Sequence, residues 1–296
     1  MNTIQIEGVS GILVTPFDDQ LQVDHASLAT LARGMDEAGI DSVVSCGGLA
    51  EYYALTGEER LAITRTMVAS VSRAVTLAAV GLGLENAVSE ARAAVDAGAD
   101  GILVHPTVHP YVHEEGLVDY YRAITDAVDV PIVAYVRDPA LDDSAVLALA
   151  DLPSVVAIKY AVNDLRRFAD LVEASQGATA WMCGTAETWA PYFWQAGAVG
   201  YTSGIANFAP TATVRLRDAL HGNLEVAGLR ELWAPMRHFE AIRFRRHDRD
   251  SIPVVKTAVA AVGVGSDDVR PPMRRLDDAT RAEIHTLLED WDVLPA

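Results

Sequence analysis

The sequence is poor in lysine and cysteine and has no basic excess. Only two lysines occur in 296 residues, Lys159 and Lys256, and the other 21 of the 23 basic residues are arginine. Against these stand 41 acidic residues, for a formal net charge of −18. A protein that tracks a phosphate backbone needs a basic footprint, so nucleic acid is not expected as a partner. An anionic substrate would have to be held by local arginines or backbone N–H groups. Cys46 and Cys183 are the only cysteines, which excludes a disulfide framework and a cysteine-rich zinc motif. No run of about 18 apolar residues occurs, so no transmembrane helix and no membrane partner are expected. The opening MNTIQIEGVSG lacks the basic-then-apolar order of a secretory signal. A cytoplasmic protein is the expectation. A Gly-x-Gly-x-x-Gly fingerprint is also missing from the first strand–helix unit, which leaves a dinucleotide-binding open sheet without support.

Half of the residues are hydrophobic, enough for a sizeable core in one large domain or two small ones. Short apolar runs alternate with helical patterns. Strands are predicted at Gly11–Val14, Ser42–Ser45, Val75–Val80, Gly101–Val104, Pro131–Val136, the run from Val155, Ala178–Met182 and Ala198–Thr202. The intervening helices include His25–Ala38 with Asp24 as N-cap, one opened by Thr56 and Glu59 at capping-box spacing, Ala186–Ala196 and Thr211–Leu220. Eight such units in about 220 residues predict a parallel sheet closed as a (β/α)8 TIM barrel. After residue 222 the strand signal stops. Helices are predicted at Leu224–Phe244, Val254–Val262 and Ala279–Leu288. The expected organisation is therefore a barrel over 1–222 and an appended C-terminal helical extension over 223–296.

Lys159 ends the apolar run Val155-Val156-Ala157-Ile158. This chain uses arginine where it needs only positive charge. A lysine at the end of a buried strand has a property that arginine lacks: once desolvated it loses its proton near neutral pH and attacks a carbonyl. Pairing with Asp164 at a solvated strand end is the bland alternative. In a barrel of this kind the active site lies at the C-terminal ends of the strands. There strand two offers the Gly47-Gly48-Leu49 loop, strand five Tyr135 and Arg137, and strand eight Ser203 and Asn207. Four separate segments thus bring useful groups to one rim, which favours the catalytic reading of Lys159. Arg137 either binds a distal carboxylate or pairs with Asp138. Ser203 and Asn207 either contact substrate or satisfy a tight turn. Glu51 is either an acid/base or, the favoured reading, a backbone brace, Lys256 is read as an anchor for the appended helices, and Tyr52 and Tyr53 as packing. His105, His109 and His113 are spaced by four, but Pro106 and Pro110 break any helix between them. They read as a loop rim, and no metal site is assigned. A metal-dependent aldolase is the rival mechanism.

The segments GILVTPF, DAGADGILVHP, EEGLVDYY, VPIVAYVRDP, VVAIKYAVND and GAVGYTSGIANFAP, with the loop Gly47–Glu51, resemble the dihydrodipicolinate synthase / N-acetylneuraminate lyase family of class I aldolases and dehydratases. YVRDP and YTSGIANFAP are most similar to its 5-dehydro-4-deoxyglucarate dehydratase branch. The resemblance implies that Lys159 forms a Schiff base with a 2-oxo acid, that Tyr135 moves the proton, and that the glycine loop receives the carboxylate on backbone N–H groups. It implies no cofactor, and a homotetramer. Leu49 and Ala50 depart from the dehydratase branch, which has threonine then glycine before the loop glutamate. Gly48 and Thr107-Val108 depart from the synthase branch, whose threonine and tyrosine there build a proton relay. Lysine chemistry is retained while substrate recognition is altered. A binder without efficient turnover, a sensor or scaffold, is the alternative from another class.

Overall fold

The computed structural model describes residues 4–177, 179–222, 225–246 and 248–294. Eight strands, β1 Gly8–Ile12, β2 Ser42–Ser45, β3 Val75–Val80, β4 Gly101–Val104, β5 Ile132–Val136, β6 Val155–Tyr160, β7 Ala180–Cys183 and β8 Gly200–Ser203, pair in parallel in sequence order and close β8 onto β1. Nearly every strand residue is buried, as expected where helices cover the outer face and side chains fill the barrel. Closure needs glycine: a Cβ on Gly200 would lie 2.5 Å from the carbonyl oxygen of Gly8, its register partner.

The helices are α1 His25–Ala38, α2 Gly57–Ser70, α3 Leu84–Asp96, α4 Glu114–Thr125, α5 Asp143–Ala150, α6 Leu165–Ala174, α7 Ala190–Gln195, α8 Pro210–His221, α9 Val226–Phe244, α10 Ser251–Ala261 and α11 Asp278–Asp290. Their ends follow local chemistry. Asp24 accepts from the amides of Ala26 and Ser27, and Gly39 ends α1 with φ of 88°. Thr56 and Glu59 form the predicted reciprocal cap of α2. Among the described residues no helix is long and apolar enough to cross a membrane.

Several boundaries differ from expectation, and those of the first strand and the seventh helix have a local reason. The first strand begins at Gly8, not Gly11, and stops at Ile12, because the amide of Val14 is taken by the side chain of Asn207 at 3.0 Å and leaves the ladder. Helix α7 begins at Ala190, not Ala186. Pro191 occupies its first turn, where a missing N–H costs nothing, and Ala186 has φ of 63°. Ala178 and Leu224, the predicted starts of strand seven and of the ninth helix, lie outside the described residues. The last helices pack on one another and on the barrel rim, with α10 touching the turn that follows β2.

Candidate active site

A cavity of about 650 Å³ opens at the C-terminal ends of the strands. Lys159 and Tyr135 lie on its wall. The two are partners across β5 and β6, and Nζ sits 4.1 Å from the centre of the Tyr135 ring. A bulge produces this pairing. Ile132 pairs with Val155 but Val133 pairs with Ala157, so Val156 is an extra residue in β6. Were Val156 paired in a regular ladder from Ile132 and Val155 onward, Tyr135 would stand opposite Ile158. Burial, reinforced by the positive charges of Arg137 and Arg243, pushes the Lys159 pKa down to about 7. The ring favours the ammonium, by about 2 kcal/mol or more for a desolvated cation–π contact, and so acts against the burial that loosens the proton. Burial holds the Tyr135 phenol above its ordinary range, so it keeps its proton at neutral pH. Asp164 does not pair with this lysine. It caps α6, accepting from the Arg167 amide at 3.0 Å.

The loop after β2 contributes Gly48 and Leu49 to the wall. Residues 48–50 form one tight turn in which the Ala50 amide bonds to the Gly47 carbonyl. The amides of Gly48 and Leu49 precede that bond and have no partner within the turn. Gly47 itself does not line the cavity; a Cβ there would meet Ile12 at 2.6 Å. The left-handed positions fall at Cys46 and Glu51, with φ of 55° and 59°, so Ala50 carries no such strain. Glu51 accepts from Lys256 Nζ at 2.8 Å and from the Arg270 amide at 2.9 Å, and both members of the ion pair are buried.

On the far side Ser203 lines the cavity, but its hydroxyl donates to Glu187 and accepts from the Ala206 amide. Asn207 does not reach the cavity. Its amide nitrogen donates to the carbonyls of Ile12 and Gly204, at 2.8 and 2.9 Å, and so fastens the end of β8 to β1. Arg137 is largely exposed at the mouth, and its partner is Asp248 at 3.7 Å, not Asp138. That separation exceeds a hydrogen bond, so the guanidinium fork is open to an anion. His105 is buried, with Nε2 2.9 Å from the Cys46 carbonyl. A carbonyl only accepts, so Nε2 carries the proton. Burial pushes the His105 pKa down to about 4. Its ring stacks on Tyr52, which packs as expected, whereas Tyr53 is exposed. His109 and His113 sit on the exposed loop beyond, and among the described residues no three His, Cys, Asp or Glu side chains converge as ligands. Burial pushes both cysteine thiols up to about 12, which makes them poor nucleophiles.

Two stretches of the wall escape sequence reasoning. Thr185, Thr188 and Trp189 belong to the turn before α7, which the sequence pattern places largely within the helix. Arg237, Glu240, Arg243 and Phe244 come from α9. Arg243 is buried, donating to Glu240 Oε1 at 2.5 Å and to Ser251 Oγ at 2.9 Å. Burial raises the pKa of Glu240. Burial together with the Glu240 charge raises that of the equally buried Glu187. Two signals are present in the sequence: Pro191 as a helix-start residue, and the spacing of three in Arg237, Glu240 and Arg243, which gives α9 one polar face.

Residues 5–291, nearly the whole chain, match the dihydrodipicolinate synthetase family. The chain belongs to that family. Members are class I lyases, and this protein is a lyase of that class. A probable 5-dehydro-4-deoxyglucarate dehydratase of Methylobacterium radiotolerans is 32% identical over 289 residues, covering 95% of each chain. Dihydrodipicolinate synthase from Bacillus clausii superposes with a TM-score of 0.92 at 35% identity, over 96% of this chain and 97% of that one. A prophage protein of the same family from E. coli K12, solved with pyruvate, superposes with a TM-score of 0.88 at 26% identity, over 97% and 99% of the two chains. The motif resemblance is thus borne out at the level of family and fold.

Proposed function

We propose that this family member is a Schiff-base lyase acting by dehydration or aldol cleavage on a sugar-derived 2-keto-3-deoxy acid such as 5-dehydro-4-deoxyglucarate. One observation carries the reading: the chain's only lysine at the cavity lies buried, with a pKa near 7, directly across the ladder from Tyr135. At neutral pH a large fraction of Lys159 is the free amine. It attacks the 2-oxo carbon, and loss of water leaves the imine. Tyr135 relays both protons of Nζ to the departing oxygen, one as the amine adds and one as water leaves. The imine draws electrons from C2 and acidifies the neighbouring C–H. Loss of that proton gives an enamine, which expels the hydroxyl one carbon further on, and proton and hydroxyl leave together as water; in the aldol mode the imine instead takes up the electrons of the C3–C4 bond as the C4 hydroxyl loses its proton, so that C4 departs as a carbonyl and the enamine remains. The amides of Gly48 and Leu49 receive the first carboxylate. A second carboxylate is assigned to Arg137, which follows Tyr135 by two residues and whose fork is open at the mouth, whereas the buried fork of Arg243 is engaged by Glu240 and Ser251.

The test is borohydride reduction in the presence of pyruvate or 5-dehydro-4-deoxyglucarate, followed by peptide mass mapping. The expected adduct is on Lys159. An unmodified Lys159, or an adduct on Lys256 instead, overturns the reading. The same reading carries a cytoplasmic homotetramer, for which sedimentation in solution is the check.

A further inference from the structure

We propose that Lys256, on α10, is a positioning residue for the substrate-carboxylate loop and acts through Glu51. The proposal rests on the proposed function only in taking Gly48 and Leu49 as the groups that receive the carboxylate.

Lys256 is the chain's second lysine and is as deeply buried as the first, at 1% exposure. Its Nζ lies 2.8 Å from Glu51 Oε1 and 4.1 Å from the centre of the Phe17 ring. The second oxygen of Glu51 accepts the Arg270 amide at 2.9 Å. Both oxygens of one carboxylate are therefore held by the segment outside the barrel. A buried ion pair contributes little to net stability, because desolvation of both charges offsets their attraction. What such a pair does supply is a fixed position. The backbone at Glu51 needs one: φ of 59° and ψ of 36° are sparsely populated by any residue with a Cβ. Cys46 at the other end of the loop is left-handed as well. The Thr15 hydroxyl holds the Ala50 carbonyl at 2.8 Å between them. The turn carrying Gly48 and Leu49 is thus pinned at its exit by side chains distant in sequence, with 205 positions separating Lys256 from Glu51. Without the Lys256 charge, Glu51 is left a buried, half-paired carboxylate and the left-handed residue loses its tether.

The test compares wild type with Lys256→Met by two readouts. Amide hydrogen exchange over residues 46–55 is expected to accelerate tenfold or more, with β5 and β6 unchanged. The pyruvate concentration that half-saturates borohydride trapping at Lys159 is expected to rise tenfold or more, with full trapping still reached at saturation. Lys256→Arg, which keeps the charge, should restore part of both. Exchange that stays within twofold, or that accelerates uniformly through the barrel, overturns the proposal, as does a local acceleration with half-saturation unchanged. If Lys256→Met does not fold, Glu51→Gln carries the same two readouts, since it is isosteric and removes only the charge. If wild type forms no adduct with any 2-oxo acid, the proposed function fails, while hydrogen exchange still decides whether Lys256 holds the loop.

Discussion

Lys159 and Tyr135 face each other across one rung of the β5–β6 ladder, with the ammonium nitrogen 4.1 Å from the centre of the phenol ring. This contact joins an amine whose proton is loosened by burial to a phenol whose proton is retained by burial. These are the protonation states that the proposed imine formation needs at neutral pH, with Lys159 as nucleophile and Tyr135 as acid.

Replacing Tyr135 by Phe keeps the ring and removes only the hydroxyl. The fold should persist, and kcat should fall by roughly 10²–10⁴, the usual contribution of a positioned acid/base. Steady-state kinetics with a substrate that gives product is the measurement. Turnover within about threefold of wild type would deny Tyr135 the proton-transfer role set by that range.

Imine formation should follow the free-amine fraction of Lys159. Initial trapping rates are expected to rise as pH increases through about 7. The Arg137 charge helps to hold that pKa down, so Arg137→Ala should move the midpoint to more alkaline pH. A midpoint that stays put, or moves towards acid, contradicts this electrostatic link.

Lys159→Met should be inactive yet more stable. The folded-state pKa lies below the unfolded value of 10.5, so between pH 7 and 10.5 the unfolded chain binds more protons and wild-type stability rises with pH. Below that window the wild type bears the full cost of a buried ammonium. Replacement by an apolar residue should therefore gain stability at neutral pH, by about 1.4 kcal/mol for each unit by which burial depresses the pKa. The gain should shrink as pH rises through that window. Chemical denaturation at several pH values checks both the sign and the window.

A dicarboxylate substrate should owe its preference to Arg137. A bidentate contact with a charged group is worth about 1.5–3 kcal/mol, and about 1.4 kcal/mol is one decade of affinity. Of two sugar-derived 2-oxo acids differing only in a terminal carboxylate or alcohol, the diacid should be preferred by tenfold or more. Arg137→Ala should erase that preference and leave pyruvate trapping intact at alkaline pH. Equal use of the two acids by wild type would assign Arg137 to the Asp248 ion pair alone.

The barrel itself is legible in the sequence. Parallel strands covered on both faces are mostly apolar, so β2, β3 and β4 stand out as short runs built on Val43-Val44, Leu77–Val80 and Ile102–Val104, with bounds that agree with the structure. Capping chemistry is equally local, which is why α1 and α2 begin where Asp24 and Thr56 say they should. The rarity of lysine singles out Lys159, and strand-end position puts it at the active rim. What no local pattern encodes is register and contact between distant segments. The extra residue Val156 in β6 sets Tyr135 opposite Lys159, and a bulge depends on how two strands pack into a closed barrel. Glu51 and Lys256 each read as structural, but only the folded chain makes them partners. Arg243 and Glu240 belong by sequence to an appended helix; docking of α9 over the barrel mouth turns them into buried wall. Periodicity fixes which face of an element is apolar, whereas the neighbour that covers the face is chosen by packing across the whole molecule.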